Sequence, residues 1–279
     1  MDLKNEIPMI LGGHSFIKQL GNDPPANQEL QTKIVETCLD NEILWFDTTY
    51  QPERIALGNA LNQLDRRAEA TVIAWNFFVD FGSEDNVGGA SYYQPHHIDL
   101  MLEQLKTHYI DCLVVHKLGD EEQDDQQQSL AITWQQKGYV KRLGTWAPPQ
   151  NAQEVFGTDN PYSFMVRPYN VTAKDAAPIF AAYRDMGWEN YACSPFVRGW
   201  ELEKLAGKAV SLYGGKEPEI RAKVADLMLR YSLFGPNVDR LIVAMRRPEW
   251  VKRNIHSYNK GEITREELDW LDAVREVGE

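Results

Sequence analysis

Three residues have the types that carbonyl chemistry needs, and each closes a short apolar run. Asp47 and Tyr50 follow Ile43-Leu44-Trp45-Phe46, and His116 follows Ile110 to Val115. A tyrosine hydroxyl passes a proton to a carbonyl oxygen when a neighbour lowers its pKa or polarises it. A histidine beside it can orient the same oxygen, and an aspartate beneath can anchor a cation. Plainer readings stay open. Asp47-Thr48-Thr49 also suits a turn and helix cap, and a histidine after an apolar strand also suits a core residue with its own partner. Other chemistries lack their spacing. His96 and His97 adjoin one another, no H-x-x-x-H occurs, and neighbouring helical residues do not face one ion, so no metal site is expected and the pair reads as a solvated helix start. G-x-S-x-G and the Walker phosphate loop are absent. Cys193 closes another apolar run with no basic neighbour, which argues against a thiolate nucleophile.

The elements that must hold these residues follow from a repeating rhythm. Short β-rich runs occur at 9–11, 43–46, 71–74, 110–115, 140–144, 163–166, 191–193 and 241–244. They are continuously apolar rather than alternating, as strands buried on both faces of a parallel sheet are. Helical periods lie between them. Ile98, Met101, Leu102 and Leu105 share one stripe, as do Ile220, Val224, Leu227 and Tyr231. Eight such repeats predict a single (β/α)8 barrel domain over residues 1–279, a fold of about 250 residues. The G-x-G-x-x-G of a doubly wound sheet is missing, since residues 11–16 read Leu-Gly-Gly-His-Ser-Phe. In such a barrel the active site lies at the carboxyl ends of the strands. That rule selects His14, Asp47, Asn76, His116, Trp146, Arg167, Ser194 and Arg246. Gly119 to Gln128 reads as a polar loop and helix start. Phe77 to Tyr93 and Arg198 to Tyr213 read as substrate loops, with Trp75, Phe77, Phe78 and Trp200 as aromatic walls. Thr264 and Glu267 have capping-box spacing and predict a final helix.

Composition removes several classes of function. Lys and Arg total 29 against 41 Asp and Glu, a net charge of −12, so neither nucleic acid nor an anionic membrane is an expected partner. No run approaches the roughly 20 apolar residues of a membrane helix. The N-terminus lacks a secretory pattern. Cys38, Cys112 and Cys193 are widely spaced and read as reduced thiols of a cytoplasmic protein.

Several motifs resemble the aldo-keto reductases, in order and along nearly the whole chain. Trp45-Phe46-Asp47-Thr48-Thr49-Tyr50, then Glu53 and Leu57-Gly58-Asn59-Ala60-Leu61, is similar to the family's F-D-T-A, Tyr and E-x-x-L-G-x-A-L. Residues 102–116 resemble S-L-x-x-L-x-x-x-Y-I-D-L-x-x-x-H, and 138–144 resemble G-K-V-R-x-I-G. Residues 243–254 resemble V-G-A-R-S-P-E-Q-V-K-E-N. The resemblance implies NADP(H)-dependent reduction of a small-molecule carbonyl, an aldehyde, ketone or sugar-like compound. It makes Asp47, Tyr50 and His116 three of the family's four catalytic residues, with Tyr50 the acid. It puts Asn76 where the family has its lysine. It implies cofactor contacts at Ser194, Ala244, Arg246, Arg247 and Asn254, with Trp146 where the family has the serine that holds the nicotinamide carboxamide. Ala147 follows in place of asparagine, and Val166 falls near the position of a glutamine. These departures cluster around one half of the cofactor. They support an alternative: a barrel without hydride transfer, serving as a ligand-binding protein, a scaffold or a non-redox enzyme that uses His14, Asp47, His116 and Arg167.

Overall fold

The computed structural model of the chain describes residues 6–17, 26–78, 89–157, 160–173 and 175–276. Eight strands close into a barrel in chain order. They are β1 (Met9–Leu11), β2 (Trp45–Thr48), β3 (Thr71–Trp75), β4 (Ile110–Val115), β5 (Val140–Trp146), β6 (Tyr162–Pro168), β7 (Glu189–Cys193) and β8 (Arg240–Val243). All pairings are parallel, and β8 returns to β1 with Leu241 opposite Met9. The helices are α1 (Gln28–Leu39), α2 (Gln51–Leu64), α3 (His97–Leu105), α4 (Glu121–Gln136) and α5 (Ala152–Phe156) on the first half. The second half carries α6 (Ala176–Asp185), α7 (Trp200–Tyr213), α8 (Glu217–Leu233), α9 (Pro248–Asn259) and α10 (Arg265–Glu276). The expected (β/α)8 barrel is the fold observed.

Alternation along each strand decides what faces inward. Ile10, Trp45, Ile73, Cys112, Val114, Phe164, Tyr191 and Ile242 fill the barrel interior. Leu11, Phe46, Val72, Ala74, Leu113, Met165, Ala192 and Val243 face outward and pack in the larger core that includes α1, α2 and α6 residues. The Phe164 ring takes the space that a side chain at Gly144 would need, since a Cβ there would lie 2.3 Å from it. Phe164 stacks on Tyr191 at 5.1 Å. Both inner and outer faces are therefore apolar, which is why the runs read as continuous.

Three local expectations change, and the loop and helix start expected over 119–128 is met. β2 starts later than the apolar run and includes Asp47 and Thr48, so these are strand residues and not a turn. Most of Gly119–Gln128 is helix, started by the Asp120 side chain, which accepts from Gln123 N at 3.1 Å. Residues 200–213, expected as a loop, form α7, with Glu201 and Glu203 in its first turn. His97 starts α3 but is buried, its ring stacked on Phe78 at 3.6 Å, so it is not solvated. Of the other expected substrate loop, residues 79–88 lie outside the described residues. The capping box is formed: Thr264 N donates to Glu267 Oε2 at 2.9 Å, and Glu267 N to Thr264 Oγ1 at 3.2 Å. The buried Arg230 guanidinium ties α10 to α8 by donating to both Glu267 oxygens and to the Gly261 and Glu262 carbonyls.

Candidate active site

The inward parity of each strand continues into the rim. Gly12, Asp47, Trp75 and His116 come up on one half of the mouth, and Trp146, Val166, Cys193 and Ala244 on the other. All line one cleft of about 1450 Å³. The cleft also takes in His14, Tyr50, Phe77, Ser194 and Arg198, and runs outward to Arg246, Trp250, Arg253 and Asn254 on α9 and the turn before it.

Asp47 is buried at the end of β2, and the Trp75 indole N–H donates to its Oδ1. Burial disfavours its charge, and the nearby Glu53 carboxylate adds to this, so its pKa rises to about 7. The donors at Trp75 and the Gly13 backbone, and the charge of His14, act the other way.

The N-terminus of α2 builds the next part. Tyr50 is the N-cap and Glu53 sits three residues on, fully buried. Glu53 Oε2 accepts from Thr49 N at 2.6 Å and from Tyr50 N at 3.1 Å. Carboxylates suit a helix N-terminus, where backbone N–H groups lack partners. Its other oxygen meets His14 Nδ1 at 2.9 Å. Gly13 is glycine because a Cβ would lie 2.2 Å from Glu53 Oε2 and 2.8 Å from the Asp47 carbonyl oxygen. Burial opposes a charge on His14, but Glu53 by charge and hydrogen bond outweighs it, and its pKa is raised. The Tyr50 ring lies 5.8 Å from His14 and edge-on to Phe77 at 5.3 Å. Burial, and then Glu53, push its hydroxyl up to about 12, against the pull of Arg198. Behind this turn the buried Arg54 donates to Gln104, to the Thr49 carbonyl and to the Phe77 carbonyl, so the β2 and β3 loops are tied together.

His116 faces the cleft between Phe77 and Trp146, at 6.2 Å and 6.1 Å. Burial lowers its pKa, and its Nδ1 is buried with no hydrogen-bond partner among the described residues. Trp146 meets Trp75 edge-on at 5.5 Å, so two indoles wall this side.

Three sequence assignments move. Asn76 is fully buried but faces away from the cleft. Its amide donates to the His116 carbonyl at 3.0 Å, and His116 N donates back to its Oδ1 at 3.1 Å. It joins the ends of β3 and β4; the inward residue that reaches Asp47 is Trp75, one position earlier. Arg247 is the exposed N-cap of α9 with its guanidinium 5.8 Å from the Trp250 ring, and it does not line the cleft. Arg167 turns outward to the Pro148 carbonyl and Asp175. The other expected contacts, Ser194, Ala244, Arg246, Asn254 and Trp146, all line the cleft. Ser194 holds a left-handed φ of 60°, and its carbonyl accepts from the Asn170 amide at 2.9 Å. The β8 rim is fixed from the opposite side of the chain: Ser15 Oγ accepts from Met245 N at 2.8 Å.

Sequence reasoning gave no role to the Glu53–His14 pair, to Trp75 as the partner of Asp47, or to Arg198. Strand alternation from Ile73 identifies Trp75, and the third position of a helix after a polar cap identifies Glu53 as a residue that points back. Arg198 figures there only as the start of an expected substrate loop; it lies in a turn where Val197 and Arg198 both have positive φ.

No family model matches the sequence, and no curated protein matches it. Solved structures do. An aldo-keto reductase from Bacillus halodurans in its holo form superposes with a TM-score of 0.72 at 16% identity, covering 96% of this chain and 91% of that one. A thermostable aldo-keto reductase in complex with the inhibitor epalrestat gives a TM-score of 0.69 at 16% identity, with 96% and 95% covered. The fold of this chain, in strand order, closure and extent, is the (β/α)8 barrel of the aldo-keto reductases.

Proposed function

We propose that the chain is a divergent NADP(H)-dependent carbonyl reductase, with a small aldehyde, ketone or sugar-like substrate at the barrel mouth. The observation that carries this reading is the continuity of the cleft. One space of about 1450 Å³ joins Asp47, Tyr50 and His116 to Arg246 and Asn254. The residues fit the phosphate and adenosine half of a dinucleotide. Arg246 is a buried cation in the wall just before α9, with Arg253 and Asn254 beyond it. A guanidinium pairs with phosphate through two parallel hydrogen bonds, and a helix N-terminus favours an anion. The nicotinamide half fits less well. Trp146, Val166 and Cys193 present ring faces and apolar surface where a carboxamide wants polar partners.

When bound, NADPH supplies a hydride. The chain's own residues position the acceptor. His116, kept neutral by burial, can donate one hydrogen bond to the carbonyl oxygen. Trp75 fixes Asp47, and Phe77 and Trp146 flank His116 in the cleft wall. A cytoplasmic setting suits the cysteines, which are free and buried. Among the described residues no helix is long and apolar enough to cross a membrane.

A second reading, a barrel that binds its ligand without hydride transfer, is favoured by one observation: the group that reaches Asp47 from β3 is a neutral indole. Titration of the protein with NADPH, followed by tryptophan fluorescence and calorimetry, tests the first reading. Micromolar binding, weakened about 10–100-fold by Arg246→Ala and less so for NADH, supports it. Absence of binding at millimolar cofactor overturns it. Binding without reduction of any carbonyl probe supports the second.

A further inference from the structure

The cleft holds a histidine–carboxylate pair that the family resemblance does not call for. We propose that His14, held by Glu53, is the group that gives and takes the proton at the barrel mouth, in place of Tyr50. The inference rests on reading the mouth as the carbonyl site.

Geometry supports it first. Glu53 is fully buried, and its orientation is fixed by two backbone donors at the start of α2. It takes the Nδ1 hydrogen of His14, which sets the tautomer and leaves Nε2 for the cleft. His14 keeps 30% of its side chain exposed, and that surface lines the cleft beside Asp47 and Tyr50. A base oriented by a buried carboxylate is the arrangement that positions imidazoles for proton transfer on unrelated folds. Gly13 is part of it, since any side chain there would collide with Glu53.

The charges around the ring agree. Glu53 from α2 and Asp47 from β2 favour the imidazolium, and Arg198 from the turn before α7 opposes it. Tyr50 lies against the ring, and His116 and Cys193 stand elsewhere on the rim. Against the cost of burial, the Glu53 carboxylate raises the imidazole pKa, which favours the protonated form that a general acid needs. Burial pushes the Tyr50 hydroxyl up as well, to about 12, which makes it a weaker acid. After β3 the ring that meets Tyr50 is Phe77, edge-on at 5.3 Å, and the cation that pulls its hydroxyl down is Arg198.

The step balances. In reduction the carbonyl carbon gains a hydride from the reduced nicotinamide dinucleotide, and the C=O π pair moves to oxygen. That oxygen takes the Nε2 proton, giving an alcohol, the oxidised dinucleotide and a neutral imidazole. Water in the open cleft restores the proton. Run as a base, neutral Nε2 removes a proton from carbon next to a carbonyl and returns one from solvent.

The test uses the full chain with His14→Asn, Glu53→Gln, Asp47→Asn and Tyr50→Phe. Calorimetry measures NADPH binding. Reduction of 4-nitrobenzaldehyde by NADPH is followed from about pH 5 to about pH 9, the range in which an imidazole titrates. Without cofactor, ¹⁵N NMR titrates His14, and ¹H NMR follows exchange of the methyl protons of pyruvate into D2O. The expected result is a kcat lowered about 10²–10³-fold by His14→Asn, with NADPH affinity within about twofold of wild type, and less than about tenfold by Tyr50→Phe. Glu53→Gln moves the alkaline limb of the rate profile to lower pH together with the His14 titration. If that variant does not fold, Asp47→Asn moves both the same way. A Tyr50→Phe loss as large as the His14→Asn loss overturns the proposal, as does full activity in His14→Asn. If NADPH does not bind, or the aldehyde is not reduced, the reductase reading fails separately. Pyruvate exchange that depends on His14 then supports the proposal, and exchange that is absent or unchanged in His14→Asn overturns it.

Discussion

Replacing Asp47 by asparagine should make the protein more stable at alkaline pH. The carboxyl is buried, and its pKa moves from an ordinary 3.8 to about 7 on folding. Between those values the folded chain holds a proton that the unfolded chain has released, so stability falls as pH rises. At about 1.4 kcal/mol per pH unit, that interval of about three units corresponds to about 4 kcal/mol, fully lost above pH 7. Asparagine keeps an oxygen for the Trp75 donor and has no charge to bury. Its amide faces the Gly13 N–H less well, which takes back about 1 kcal/mol. The variant should therefore be about 2–4 kcal/mol more stable than wild type near pH 8.5 and about equal near pH 4. His14 adds a slope of the same sign: its raised pKa stabilises the fold below its ordinary 6.5, and that gain fades as pH rises through the folded value. It is smaller in the variant, which lacks the Asp47 charge beside His14, so the difference between the two proteins reports Asp47 together with its coupling to His14. Urea unfolding across this pH range measures it. Equal or lower stability of the variant near pH 8.5 would refute the reasoning.

Other predictions concern packing around the same site. Gly13→Ala puts a methyl where Glu53 Oε2 lies, 2.2 Å away, so either the carboxylate or the backbone must move. A loss of about 2–3 kcal/mol in denaturant unfolding is expected, and wild-type stability would contradict the tight fit. Asn76→Ala leaves the buried ends of β3 and β4 without their mutual hydrogen bonds. It should cost about 1–3 kcal/mol in stability while NADPH affinity stays within about twofold, because the side chain does not reach the cleft. Weakened cofactor binding in that variant would return Asn76 to the site.

The barrel was legible because its signal is redundant. Eight apolar runs and the helical stripes between them report the same layers. Positions on the cleft were legible where motif and strand parity agree, as for Asp47 and His116. It misled at Asn76, because a motif read by chain order ignores which face a residue occupies. Ile73 points inward, so Trp75 does too and Asn76 cannot. The pairing of His14 with Glu53 spans 39 residues, and nothing local in the chain announces it. Arg198 reaches the mouth through a turn of left-handed residues whose types do not predict that conformation.

The alternation that sends Asp47, Trp75, His116 and Trp146 inward sends their neighbours outward to the helices. Chemistry and architecture therefore occupy interleaved but separate sets of positions. A single codon change at a rim position alters charge, hydrogen bonding or bulk in the cleft and leaves the strand–helix interface as it was. Such a scaffold can shed one catalytic apparatus and gain another through folded intermediates, and selection can act on its mouth alone.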